Sequence, residues 1–196
     1  MTRKSTEERQ KEIIRATLEL LDESGVQNLT IAHIAERVGI SEAALYRHFD
    51  GKLDIIAGII EFVGNKMEDK FPGGSAGENS ALEDLKSVFL GHMEFIETTP
   101  GTARLLFSDE VHFNDKKLRK KLKKVLDSRL RLIESVIERG QSQGTVRDDI
   151  SSSRLALAFI GLVQSRVLVW SLAGRKGDLS QDGEALWESF ESMIRA

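Results

Sequence analysis

Tyr46, Arg47, His48 and Lys52 set a phenol, a guanidinium, an imidazole and an ammonium within seven residues of one another. Such a group suits recognition of anions and base edges better than bond cleavage. The guanidinium can donate twice to guanine O6 and N7. The phenol and imidazole can each donate once to a phosphate, and an ammonium at a helix start adds charge to an N-terminus that already favours anions. Just upstream, Ala43 or Ala44 offers a methyl to a thymine, while Glu42 is an acid that either favours a helix dipole or accepts from cytosine N4. A second set, His92 with Glu94 and Glu110 with His112, raises metal or hydrolytic chemistry. Residues two apart on a helix do not share a face and no His-Glu-x-x-His occurs, so this spacing argues against a metal site and against an enzyme. No catalytic residue, metal or cofactor is expected. The chain contains no cysteine, which excludes disulfides, thiolate metal sites and cysteine nucleophiles.

The elements needed to hold the first set are legible around it. Thr30 is an N-cap for a helix whose apolar face is Ile31, Ile34, Ala35 and Val38, and Gly39 supplies the left-handed turn that ends it. Ser41 caps a second helix, Glu42 to about His48, with Leu45 and Phe49 inward at i, i+4. Two helices across a short glycine turn form a helix-turn-helix, whose second helix enters a major groove.

The string T-I-x-x-I-A-x-x-V-G-I-S-x-x-x-L-Y-x-H-F-x-x-K, from Thr30 to Lys52, resembles the N-terminal signature of the TetR family of bacterial transcriptional regulators. The resemblance implies roles by position. Ala32, His33, Glu42, Ala43, Ala44, Tyr46 and Arg47 would lie toward base edges, and Thr30, Ser41, Tyr46, His48 and Lys52 toward phosphates. It further implies a ligand-responsive repressor, cytoplasmic and homodimeric, that a small molecule releases from a palindromic operator.

Two prolines, at 72 and 100, and no sustained period-2 alternation predict an all-α chain. Ser5 with Glu8 is a capping box opening a helix through Ile14, Leu18 and Leu21 that Gly25 stops. Lys52 opens a connecting helix through Ile55, Ile59 and Met67, and Pro72 to Asn79 reads as a linker. The expected organisation is a three-helix head, residues 1–52, joined by this helix to an effector-binding and dimerisation body, residues 53–196. In the body, Ser80 with Glu83 caps a helix that stops at Pro100. A short helix follows near 103–107, then a long one over 115–139 ended by Gly140, an apolar one over 155–172 and a last one over 182–195.

Charge pulls against a nucleic-acid reading: the chain carries a net −3, and residues 1–70 hold 10 Lys/Arg against 13 Asp/Glu. Placement outweighs the sum, because exposed charges are screened beyond roughly 10 Å. Arg3, Lys4, Arg9 and Lys11 sit at one end of the first helix, while Glu19, Asp22 and Glu23 fall where it points away from DNA. Nine Lys/Arg crowd residues 116–131, at 116, 117, 119, 120, 121, 123, 124, 129 and 131. The plain reading is the solvated face of a core helix; the sharper one is a surface for an anion, a membrane or nucleic acid.

In the body, Phe89, Met93, Phe107, Phe159 and Trp170 are simplest as core. Alternatively they line an apolar pocket for a lipophilic effector, with His92, Arg104, Gln164 and Arg166 as polar anchors. Gly161 suggests close helix packing. A dimer through residues 155–172 and 182–195 follows from the two-fold symmetry of operators and from the position of the helix pair that forms the TetR-type interface. The longest apolar run, Leu155 to Val163, is short of the roughly 20 residues a bilayer span needs and predicts a buried helix; no secretion signal is visible at the N-terminus. Two other function classes stay open, a metal-binding or enzymatic bundle and an adaptor whose helix-turn-helix binds DNA without reading bases.

Overall fold

Thr6–Ser24 forms α1 because Ser5 and Glu8 close the expected capping box and Ile13, Ile14, Leu18 and Leu21 recur on one buried face. The computed structural model describes residues 5–70, 79–99, 101–109, 111 and 115–196; for 69 and 70 it describes the backbone alone. Arg3, Lys4, residues 72–78, Pro100, Glu110, His112 and Phe113 therefore lie outside the described residues. Among the described residues the order is α1, a 3-10 turn Val26–Asn28, α2 (Ile31–Val38), α3 (Glu42–Tyr46), α4 (Lys52–Lys70), α5 (Ala81–Thr98), α6 (Thr102–Leu106), α7 (Lys116–Ser142), α8 (Ser152–Leu172) and α9 (Leu179–Ile194). The all-α expectation holds.

The helices group into two compact units, Met1–Asn65 with Thr99–Val125, and Lys66–Thr98 with Leu126–Ala196. In the first, α1, α2, α3 and α4 share a core of Ile13, Leu21, Ile34, Leu45, Ile55, Ile56 and Ile59, all without exposed area. Each such side chain stabilises the fold by about 2 kcal/mol. The short α6, which the sequence places with the body, belongs to this unit and packs on α1. Its start is fixed there by the Gly101 amide donating to Asp22 over 3.1 Å.

In the second unit α5 packs on α8 and α9. Four rings make the centre. Phe89 meets Phe159 edge-on with centroids 5.1 Å apart and stacks on Phe190 at 6.4 Å, and Trp187 tilts against Phe190 at 6.0 Å. Asp178 caps α9 three residues earlier than expected, and the Glu97 carboxylate of α5 accepts from the Leu179 amide and the Ser180 hydroxyl at that same N-terminus.

One glycine expectation changes. Gly140 does not end α7, which runs to Ser142; a Cβ there would lie 2.6 Å from Val146 Cγ2 and 3.0 Å from Ala81 Cβ, so its smallness serves close packing. Gly161 has nothing within 4 Å inside the subunit, which removes internal packing as the reason for it. The expectation of a buried α8 is corrected as well. Its apolar residues run around the whole helix, so only Leu155, Ala156, Phe159, Ile160, Val163, Val167 and Trp170 are buried, while Leu157, Leu168, Val169 and Leu172 stay exposed. By length and composition α8 is also apolar enough to cross a membrane, a test the core helices of many soluble proteins pass too.

Candidate nucleic-acid interface

Two side-chain caps and one left-handed glycine set the angle between α2 and α3. Thr30 Oγ1 accepts from the His33 amide at 3.2 Å and Ser41 Oγ from the Ala44 amide at 3.1 Å, while Gly39 sits at φ 73°. A residue with a Cβ would be strained in that conformation. The buried Ile34, Ala35 and Leu45 then hold both helices against α1 and turn the remaining faces outward. Thr30, Ala32, His33, Ser41, Glu42, Ala43, Tyr46 and Arg47 are exposed, and Ala44 and His48 are half-buried. Tyr46, 52% exposed, is the large apolar ring of this surface.

The α3 helix is shorter than expected. It ends at Tyr46, with Arg47 as its cap, and His48 and Phe49 form the closing turn by donating to the Leu45 carbonyl. That turn is secured from α1, where the Gln10 amide donates to the His48 carbonyl at 3.2 Å. His48 Nδ1 is buried and meets no hydrogen-bond partner among the described residues. Lys52 differs from its sequence reading: its ammonium donates to the Val26 carbonyl at 2.9 Å and is half-buried, so it ties α4 to the turn after α1.

Charge on α1 and α2 is largely spent inside the unit. Arg37 reaches Glu23 at 2.6 Å and Glu19 at 3.4 Å, which holds the Glu23 carboxyl below its ordinary range and raises the Arg37 guanidinium. Arg9 pairs with Glu12 and Lys11 with Glu7. The acids that make residues 1–70 net negative thus include braces of the motif. An open cleft of about 610 Å³ runs along this α1–α2 side, lined by Glu8, Lys11, Glu12, Arg15, Ala16, Glu19, Arg37 and Val38.

The expected pocket residues divide between the units. Phe89, His92, Met93, Phe159 and Trp170 are buried in the second. Arg104 and Phe107 are exposed, both in the first. Gln164 is exposed on α8, and Arg166 pairs with Asp182 of α9. Sequence reasoning missed Arg129, counted within the basic run but only 6% exposed, whose Nε donates to His92 Nε2 at 3.3 Å. The signal was its place on the stripe Val125, Arg129, Ile133, Val136. Burial first, and the Arg129 charge second, push His92 down to about 3; burial lowers Arg129 to about 10. No described group of three His, Asp or Glu side chains is placed to hold a metal ion.

Residues 13–59 match the bacterial regulatory proteins of the tetR family, and residues 60–191 match the C-terminal region of YsiA-like protein. The nucleoid occlusion factor SlmA of Vibrio atlanticus (strain LGP32) is 25% identical over 195 residues, covering 99% of this chain and 98% of that protein. SlmA of Vibrio campbellii (strain ATCC BAA-1116) is 32% identical over 140 residues, covering 68% and 71%. Among solved structures, the fatty acid degradation regulator FadR from Bacillus halodurans has a TM-score of 0.85 at 18% identity, covering 97% of each chain. FadR from Bacillus subtilis, in complex with stearoyl-CoA, has 0.79 at 22%, covering 93% of this chain and 97% of that one. These structural likenesses carry the fold, and the family matches carry the membership: the chain belongs to the TetR family of DNA-binding transcription regulators, and is not an enzyme.

Proposed function

We propose that this protein is a cytoplasmic homodimeric repressor that a lipophilic small molecule releases from a palindromic operator, with residues 1–52 as reading head and 53–196 as effector and dimerisation body. The observation that carries the reading is the outward face of α2 and α3. Glu42, Ala43 and Tyr46 on α3 and Arg47 at its C-terminal cap stand exposed, in a motif fixed by two side-chain caps and a left-handed glycine. Arg47 reads a base edge, Tyr46 and His48 meet phosphates, and the two alanines leave part of the specificity to DNA shape. Thr30, Ala32, His33, Ser41, Ala44 and Lys52 complete the contact set, Lys52 after exchanging its carbonyl partner.

Dimerisation supplies the second half-site. Leu157, Leu168, Val169 and Leu172 on α8, with Met193 on α9, expose an apolar surface within residues 155–172 and 182–195. Gly161 lies open on the same helix, where a second subunit can approach closely. For the effector, a long-chain acyl-CoA is the candidate, with Phe89, Met93, Phe159 and Trp170 as apolar lining and the buried pair His92 and Arg129 as polar end; the choice draws on a similar structure that holds stearoyl-CoA. The lever is the helix that begins at Lys52 and joins the head to the body. A 100-fold difference in affinity for the two conformations supplies about 2.7 kcal/mol toward release.

A second reading, a DNA-bound nucleoid occlusion factor with no small-molecule effector, draws on the SlmA relatives and on the close packing of Phe89, Phe159, Trp187 and Phe190. Selection from randomised DNA followed by titration with stearoyl-CoA separates the two. The proposal expects a palindrome whose binding weakens about 100-fold on saturation. Stearoyl-CoA that binds without altering operator affinity defeats the coupling, and no binding favours the second reading.

A further inference from the structure

The first turns of α7 carry seven Lys/Arg in nine residues, Lys116 to Lys124, with no acid among them, in a chain whose net charge is −3. They belong to the same compact unit as the helix-turn-helix. Lys116, Lys117, Arg119, Lys120 and Lys124 are exposed, whereas Lys121 is half-buried and pairs with Glu61 of α4. The plain sequence reading, a solvated face of a core helix, accounts for Leu118 buried beneath them but not for the density of one sign.

Geometry within the unit gives this charge a direction. Lys121 pairs with Glu61, and one turn further along both helices a Cβ on Gly64 would lie 2.9 Å from Val125 Cγ2, so α4 and α7 run side by side in the same sense. Counting back from Lys121, Lys116 and Lys117 come level with about residue 56 of α4, only ~6 Å along the axis from its first residue, Lys52. Lysine side chains of that length bring their ammonium groups level with the start of α4, the end that follows Tyr46, Arg47 and His48. Asp115 caps α7 by accepting from the Lys117 and Leu118 amides, so the ammonium and guanidinium groups, not the helix terminus, present the charge.

We propose that the first two turns of α7 are an accessory DNA contact. Lys116, Lys117 and Lys120 hold the phosphate backbone flanking the stretch read by α3. Charge complementarity selects this occupant: acids outnumber bases 13 to 10 over residues 1–70, the head with its connecting helix, and Arg9, Lys11 and Arg37 are committed to ion pairs. A polyanion bound by such a head needs cations from elsewhere in the unit, and these turns are where the chain concentrates them. The inference rests on the helix-turn-helix as the docking element and adds a sequence-independent contact beside it.

The test measures binding of the full chain to a random-sequence duplex of about 40 base pairs and to one of about 16, across a salt series. Each lost phosphate contact lowers the slope of log affinity against log salt by about 0.9, so Lys116→Gln/Lys117→Gln/Lys120→Gln shallows it by up to about 3 per bound subunit. The loss falls on the longer duplex, thermal unfolding stays unchanged, and Lys124→Gln alone, two turns further from the α4 start, does less than Lys116→Gln. Equal slopes for wild type and triple variant overturn the proposal. So does an unmoved DNA slope accompanied by lost binding to phosphatidylserine vesicles, which would make the surface a membrane contact. If the wild type binds no DNA, the head reading itself fails and takes this inference with it.

Discussion

Arg129 Nε donates to His92 Nε2 across 3.3 Å with both side chains sealed inside the second unit, so a cation leans on a neutral imidazole in an apolar interior. His92 also bonds the Val88 backbone, and Arg129 Nη2 lies 3.4 Å from its Nδ1. Desolvation and the Arg129 charge hold its pKa near 3 against 6.5 for the free group. Below pH 6.5 the unfolded chain takes up a proton that the folded one refuses, so stability falls with acidification until about pH 3. The slope is at most about 1.4 kcal/mol per pH unit. Urea unfolding at pH 6.5 and pH 5 checks this: wild type loses up to about 2 kcal/mol more than His92→Gln. Parallel losses contradict it.

The caps of the reading motif predict separable costs. Thr30→Ala removes the acceptor for the His33 amide and Ser41→Ala that for the Ala44 amide. Each lowers stability by about 1 kcal/mol, read by denaturant midpoint, and the Ser41 change weakens DNA binding more because α3 has only five residues to hold its direction.

Glycines 140 and 161 predict opposite outcomes for the same substitution. Gly140→Ala drives a methyl into Val146 and Ala81 and destabilises by about 1–3 kcal/mol. Gly161→Ala meets nothing within the subunit, so helix propensity favours it by about 1 kcal/mol. Calorimetry on both variants decides; a destabilised Gly161→Ala subunit would mean an internal contact instead.

The apolar face of α8 predicts association. Leu157→Glu and Leu172→Glu place charge on residues 63% and 79% exposed, so the subunit keeps its helicity while gel filtration shifts from dimer to monomer. Wild type running as a monomer at micromolar concentration sinks the dimer.

What the sequence disclosed follows from the range of the forces involved. Caps, turn and head core were legible because Ser5, Thr30, Ser41 and Gly39 act within four residues of themselves. The Lys52 bond to Val26 and the Arg37 brace to Glu23 span 26 and 14 positions, and local pattern does not encode them. Arg129 was hidden in a run of like charges, and α8 was misjudged because its apolar residues run around the whole helix, so periodicity did not separate its buried from its exposed positions. The packing of α6 on α1, with Gly101 donating to Asp22, joins positions 79 apart and is likewise invisible to local pattern.

Base reading by Arg47, at the end of α3, with its neighbours holding phosphate, is open to measurement as the affinity of wild type, Arg47→Ala and Tyr46→Phe for selected and for random duplex. Arg47→Ala is expected to reduce the preference for the selected duplex by about 1–3 kcal/mol, while Tyr46→Phe weakens both duplexes alike. Equal loss on both duplexes for Arg47→Ala, or an unchanged ratio, contradicts it.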